Sequence, residues 1–176
     1  MKRNIIISVF LVAPWWIHAQ QQSKLSKMDK HFDKIESLIP LRDSLNAEVS
    51  KSDVAWHIDH MLKVVNKIYD SLSSSDPTEY KYQFSLARPF VFLWGDFPRG
   101  IATSPKVVLP PDNINTADIY TQLKEARDKM DRFDELPKKS FFYHFAFKNL
   151  NRRRTKRFIE VHTKHHLKII RDILKS

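Results

Sequence analysis

Cysteine is absent from the 176 residues, which excludes disulfides, thiolate metal sites and cysteine nucleophiles together. Glycine occurs twice, at Gly95 and Gly100. Phosphate loops and dinucleotide fingerprints need several residues without a Cβ, so neither can be built here. No segment sustains the apolar–polar alternation of a half-buried strand, and there is no internal repeat or low-complexity tract. Basic and aromatic residues do not interleave as they do in single-strand binders, so no nucleic-acid partner is expected.

What is present is enough for a core. Apolar residues make up 42% of the chain and twelve residues are Phe, which argues against disorder. The length fits one domain. The formal charge is +10, to which Lys2 and Arg3 contribute two. The excess is spread along the chain and reads first as solubility, although it favours anionic partners in general.

Met1-Lys2-Arg3 is a short basic head, Ile5 to Ile17 is almost wholly apolar, and His18-Ala19 gives way to three glutamines. This three-part pattern predicts a signal peptide over residues 1–19, cleaved after Ala19, and a mature domain over 20–176. The apolar stretch is shorter than the ~20 residues that span a bilayer, and Pro14 disfavours a stable anchor. The expected location is a periplasm or the exterior. An uncleaved N-terminal membrane anchor is the alternative.

In the mature chain, Leu25, Met28, Phe32, Ile35 and Ile39 recur at helical steps, up to Pro40. Val54, Ile58, Met61, Val65, Ile68 and Leu72 form a second stripe, with Ser50 or Ser52 as the expected cap. Residues 78–114 hold both glycines, five prolines and several aromatics, and read as a long irregular crossover. A third helix is capped by Asn115, carries Ile119, Leu123, Ala126, Met130 and Phe133, and stops at Pro137. An aromatic connection from Lys138 to Leu150 leads to a last helix capped by Asn151 and running to Leu174. The expected fold is all-α, a four-helix bundle with a long crossover between helices 2 and 3.

The last helix carries the chemistry. Its stripe reads Phe158, His162, His166, Ile169 and Ile173, with His162 near the centre and His166 one turn on. Two histidines at i and i+4 can aim at one point, the spacing that chelates a metal from a helix. Trp56-His57-Ile58-Asp59-His60 on the second helix offers a third ligand, and helical arithmetic places His57 nearer the stripe than His60. The plainer alternative is that each histidine is a hydrogen-bonded core residue. Asp59, Tyr143, His144 and Glu160 are candidate proton carriers, and His165, at the stripe edge, is a candidate supporting residue.

The stretches Ser52–Leu62 and His162–Leu167 resemble the two metal-bearing segments of the DinB/YfiT-like superfamily. Phe97-Pro98-Arg99-Gly100, Ser104-Pro105-Lys106 and Leu109-Pro110-Pro111 resemble the linker of one of its domain-of-unknown-function branches. His144-Phe145-Ala146-Phe147 and Asn149-Leu150-Asn151 resemble its lead into the final helix. The resemblance implies an up-down-down-up bundle with a divalent metal, Zn, Ni or Fe, held by His60, His162 and His166. Together with the expected leader, it implies an exported metal-dependent hydrolase or transferase on an unidentified small molecule; a non-catalytic metal- or ligand-binding bundle is the alternative. The chain departs from the family where Phe145 and Lys148 stand in a stretch that often carries Pro and Gly. Lys148 opens a basic run through Arg152, Arg153, Arg154, Lys156 and Arg157, ending at residue 157. Its plain reading is a solvated helix end, and its sharper one is contact with an anionic membrane surface.

Overall fold

The computed structural model describes residues 26–100 and 104–175. The expected signal peptide lies outside the described residues. The chain is mostly helical, with a small two-stranded hairpin. In order come α1 (Lys27–Leu38), α2 (Val54–Ser73), α3 (Ala87–Trp94), α4 (Thr116–Asp131), β1 (Phe141–His144), β2 (Lys148–Asn151) and α5 (Arg152–Ile173).

Local chemistry sets the helix ends. Ser26 and Asp29 form a reciprocal capping box at α1. That helix gives way at Ile39–Leu41 to a tighter turn that accommodates Pro40. The cap of α2 is Asp53, which accepts from the Trp56 N–H. The expectation of Ser50 or Ser52 is corrected: the Ser50 hydroxyl is engaged by His57 and by the Ser52 N–H. Asn115 and Asn151 cap α4 and α5 as their sequences predict. α4 ends at Asp131, a turn of tighter helix before Pro137.

The four longer helices share one core. Phe32, Ile35, Ile58, Met61, Leu62, Ile119, Phe133 and Ile159 are fully buried between them, and α2 packs on both α4 and α5. Apolar burial at ~25 cal/mol per Å² is what holds such an assembly.

Two elements lie where irregular connections were expected, and one of them departs from an all-α reading. The crossover contains α3, which tolerates Pro89 because first-turn N–H groups have no intrahelical partner. It ends at Gly95, whose φ of 71° closes the helix in the left-handed region. The connection before α5 is the hairpin, with Phe141 opposite Asn151 and His144 opposite Lys148. Lys148 has a φ of 60°, the left-handed conformation that glycine adopts without cost. Among the described residues, no helix is long and apolar enough to cross a membrane.

Candidate metal centre

α2 and α5 pack side by side, so His60 on one and His162 and His166 on the other meet across the contact. One ring nitrogen from each lies within 4.8 Å of the other two. Ring centroids are 4.6 Å apart for His162–His166, 4.8 Å for His60–His166 and 5.1 Å for His60–His162. The i, i+4 spacing on α5 supplied two rings, and the crossing helix brought the third.

The cluster takes His60 from α2, and His57 lies beside it. Its Nδ1 lies 3.0 Å from Nδ1 of His166, and its Nε2 lies 3.0 Å from the Ser50 hydroxyl. It holds a neighbour in place. For His166 to turn a bare Nε2 toward the cluster, its Nδ1–H must donate to His57 Nδ1. The His57 Nε2–H then donates to Ser50, so one tautomer satisfies the whole chain.

His60 is determined more tightly. Its Nδ1 is 2.9 Å from the Val108 carbonyl, which can only accept. The proton therefore sits on Nδ1 and Nε2 keeps its lone pair. Trp56 stacks on the same ring at 5.0 Å. His162 retains some exposure toward a cavity, yet its Nδ1 is sealed from solvent with no hydrogen-bond partner. A buried imidazole nitrogen without a partner is costly, and a bound cation would satisfy it.

Burial is the largest influence on every one of these rings, and it disfavours the imidazolium. His162 and His166 titrate well below the ordinary histidine value, and the neighbouring histidines add to the effect. His60 is lowered by burial, partly offset by its bond to Val108 and the charge of Asp59. His57 falls to about 4 by burial, with His60 adding to it. All are neutral at pH 7, the state that ligates.

The residues fit a divalent cation. Three neutral imidazoles suit Zn, Ni or Fe. Nitrogens at ~2.0–2.1 Å from one tetrahedral ion lie ~3.4 Å apart, inside the span these rings already occupy. The other side of the cluster opens on a cavity of about 740 Å³, walled by Phe97, Phe142, Phe147, Phe158 and Val64. Three histidines able to ligate, beside such a space, would make an open site rather than a closed structural one.

Two further histidines face that cavity. His165 has its Nδ1 3.0 Å from Asp96 Oδ1, and Lys168 holds the other oxygen of that carboxylate. Burial pushes Asp96 up, but the hydrogen bonds from Lys168 and His165 outweigh it and hold the carboxyl at about 2. His144 accepts the Ala146 and Phe147 N–H groups on Nδ1, which puts its proton on Nε2. Its ring lies between Phe145 and Phe147, 4.6 Å from each, and burial lowers it to about 4. It is a neutral, fixed N–H donor on the cavity wall.

The other proposed proton carriers are not there. Asp59 turns toward α4, 2.6 Å from Lys63 and 2.7 Å from the Gln122 amide. Tyr143 is exposed and Glu160 pairs with Arg157 at 3.4 Å, and neither lines the cavity. The sequence reading missed Asp96, which sits 69 residues before its partner in an irregular crossover where nothing local marks it.

The basic run is mostly tied down. Arg152 donates to the Asp134 and Leu136 carbonyls. Lys156 pairs with Asp134 at 2.5 Å, and Arg157 donates to the Phe92 carbonyl at 3.0 Å. Arg154 donates to the Tyr80 hydroxyl at 3.0 Å. Cations at this helix start serve to bind neighbouring segments. Comparison with protein-family models, with curated proteins and with solved structures finds no match to this chain.

Proposed function

We propose that this chain is an exported metal-dependent hydrolase or transferase acting on a small, largely apolar molecule. The observation that carries the reading is the three-histidine cluster, with one nitrogen of each ring within 4.8 Å of the others, opening on a cavity of about 740 Å³. His60, His162 and His166 would hold the ion. When bound, a divalent cation supplies a Lewis acid that lowers the pKa of water or of a substrate group.

The chain's own residues supply the rest. His57 orients His166, and the Val108 carbonyl orients His60. The aromatic walls exclude water and take an apolar substrate. His144 offers its Nε2–H to a substrate acceptor, and His165, oriented by Asp96, is placed to take a proton at its other nitrogen. The family reading is a DinB/YfiT-like bundle in the up-down-down-up arrangement. It is supported by the long crossover between the second and third long helices and by the position of His60 one turn after Trp56-His57.

The test is metal content and its dependence on the cluster. One equivalent of Zn, Ni or Fe per chain is expected in the purified protein. It should be lost in His162→Ala with the helical circular dichroism retained. A wild-type protein that takes up no metal from any of the three salts overturns the reading. The cavity also suits simple ligand capture. A metal-loaded protein that turns over no ester, amide or thiol substrate in a broad panel, yet binds apolar carbonyl compounds, would favour that non-catalytic role.

A further inference from the structure

Helix α3 turns its apolar face outward. Leu86, Phe90, Leu93 and Trp94 are 78%, 62%, 86% and 61% exposed, and their spacing puts them on one side of the helix. The Phe90 and Trp94 rings meet edge to face at 5.5 Å. Exposed Tyr82 and Phe84 extend the patch upstream. A contiguous apolar patch of this kind marks an interaction surface.

The helix cannot roll over to hide it. Val91 is buried on the inner side. The Ser85 hydroxyl donates to the Ala146 carbonyl at 2.7 Å, and Arg88 donates to the Phe147 carbonyl at 3.3 Å. From α5, Arg157 holds the Phe92 carbonyl at 3.0 Å and Lys164 holds the Gly95 carbonyl at 3.1 Å.

Charge decides what covers the patch. No Asp or Glu occurs between Glu79 and Asp96. Around it, Lys81 and Lys164 are exposed and have no carboxylate partner among the described residues; Arg88, only 5% exposed, and Arg154, bonded to the Tyr80 hydroxyl, lie over the Tyr82 ring, each 4.9 Å from its centre. A second copy seated here would bring these cations against their own counterparts, on a chain of net charge +10. A polar protein partner would find few hydrogen-bonding groups. An anionic bilayer surface offers an apolar boundary for Leu, Phe and Trp, and negative potential for the exposed Lys81 and Lys164.

We propose that α3 docks the protein on anionic lipid, with Leu86, Phe90, Leu93 and Trp94 set into the headgroup boundary. This moves the membrane contact from the basic run of α5, whose cations are mostly engaged within the fold, to the crossover. It is independent of the metal reading.

The test is co-sedimentation of the full chain with vesicles of phosphatidylcholine containing about one-third phosphatidylglycerol. The triple variant Leu86→Ser, Phe90→Ser, Leu93→Ser should bind at least ~10-fold more weakly than wild type. Wild-type binding should weaken with salt and on pure phosphatidylcholine. Should the triple variant lose its circular dichroism, Leu93→Asp, the most exposed single position, replaces it and should show the same direction. Equal binding of folded variant and wild type overturns the proposal, because any lipid affinity then belongs to the N-terminal segment or another face. So does a wild type that binds no vesicles, or one whose dimerisation by light scattering disappears in the variant.

Discussion

The two halves of α5 treat their polar side chains in opposite ways. In its first turns, Arg152, Arg154, Lys156 and Arg157 each meet a carbonyl, a hydroxyl or a carboxylate of another segment. Further along, His162 keeps a sealed nitrogen with no partner, and His166, aligned by His57, lies 4.6 Å from the His162 ring. Cations that are fully bonded hold a fold together. Rings that are oriented but left with free lone pairs are set up for a ligand from outside.

The contrast can be broken most forcefully at His57. His57→Ala removes no ligand, only the partner of His166, so metal affinity should fall ~10–100-fold. Titration with Zn, Ni or Fe followed by calorimetry measures it. Unchanged affinity would mean that His166 needs no orienting partner. Arg152→Ala should do the reverse. Two carbonyls lose their donor, and stability should drop by ~0.5–1.5 kcal/mol with metal affinity unchanged; denaturant unfolding of metal-free and metal-loaded protein separates the two.

Acid sharpens the comparison. His57 and His144 are held near 4, below the ordinary 6.5. Below pH 6.5 the unfolded chain takes up protons that the folded chain refuses, so stability is full above about 6.5 and falls as pH drops toward about 4. His144→Phe should flatten that slope in a series of urea melts between pH 7 and 4. An unchanged slope would show that His144 is not the group responsible. The smallest effect belongs to the hairpin. Lys148→Gly relieves a left-handed backbone at φ 60° and should stabilise the protein by ~0.5–1 kcal/mol without touching the cavity. A loss of stability would show that the lysine side chain contributes more than the backbone strain costs.

Short-range chemistry was legible in the chain. Asn115 and Asn151 cap helices because their side chains reach N–H groups two or three residues on. His162 and His166 share a face because a helix turns every 3.6 residues. The hairpin and α3 were less so. β1 alternates weakly, Pro89 disguises a first turn as a break, and α3 shows its apolar face to the outside.

What the sequence determined by itself was a mostly helical chain with an i, i+4 histidine pair facing inward, since capping and helical period act within a turn of the residue concerned. Only tertiary packing brought His57 against His166, enlisted Asp96 beside His165, and placed the Val108 carbonyl on His60. Those contacts join residues 109, 69 and 48 positions apart. No local propensity reaches so far; what fixes them is how buried surfaces of separate helices fit together.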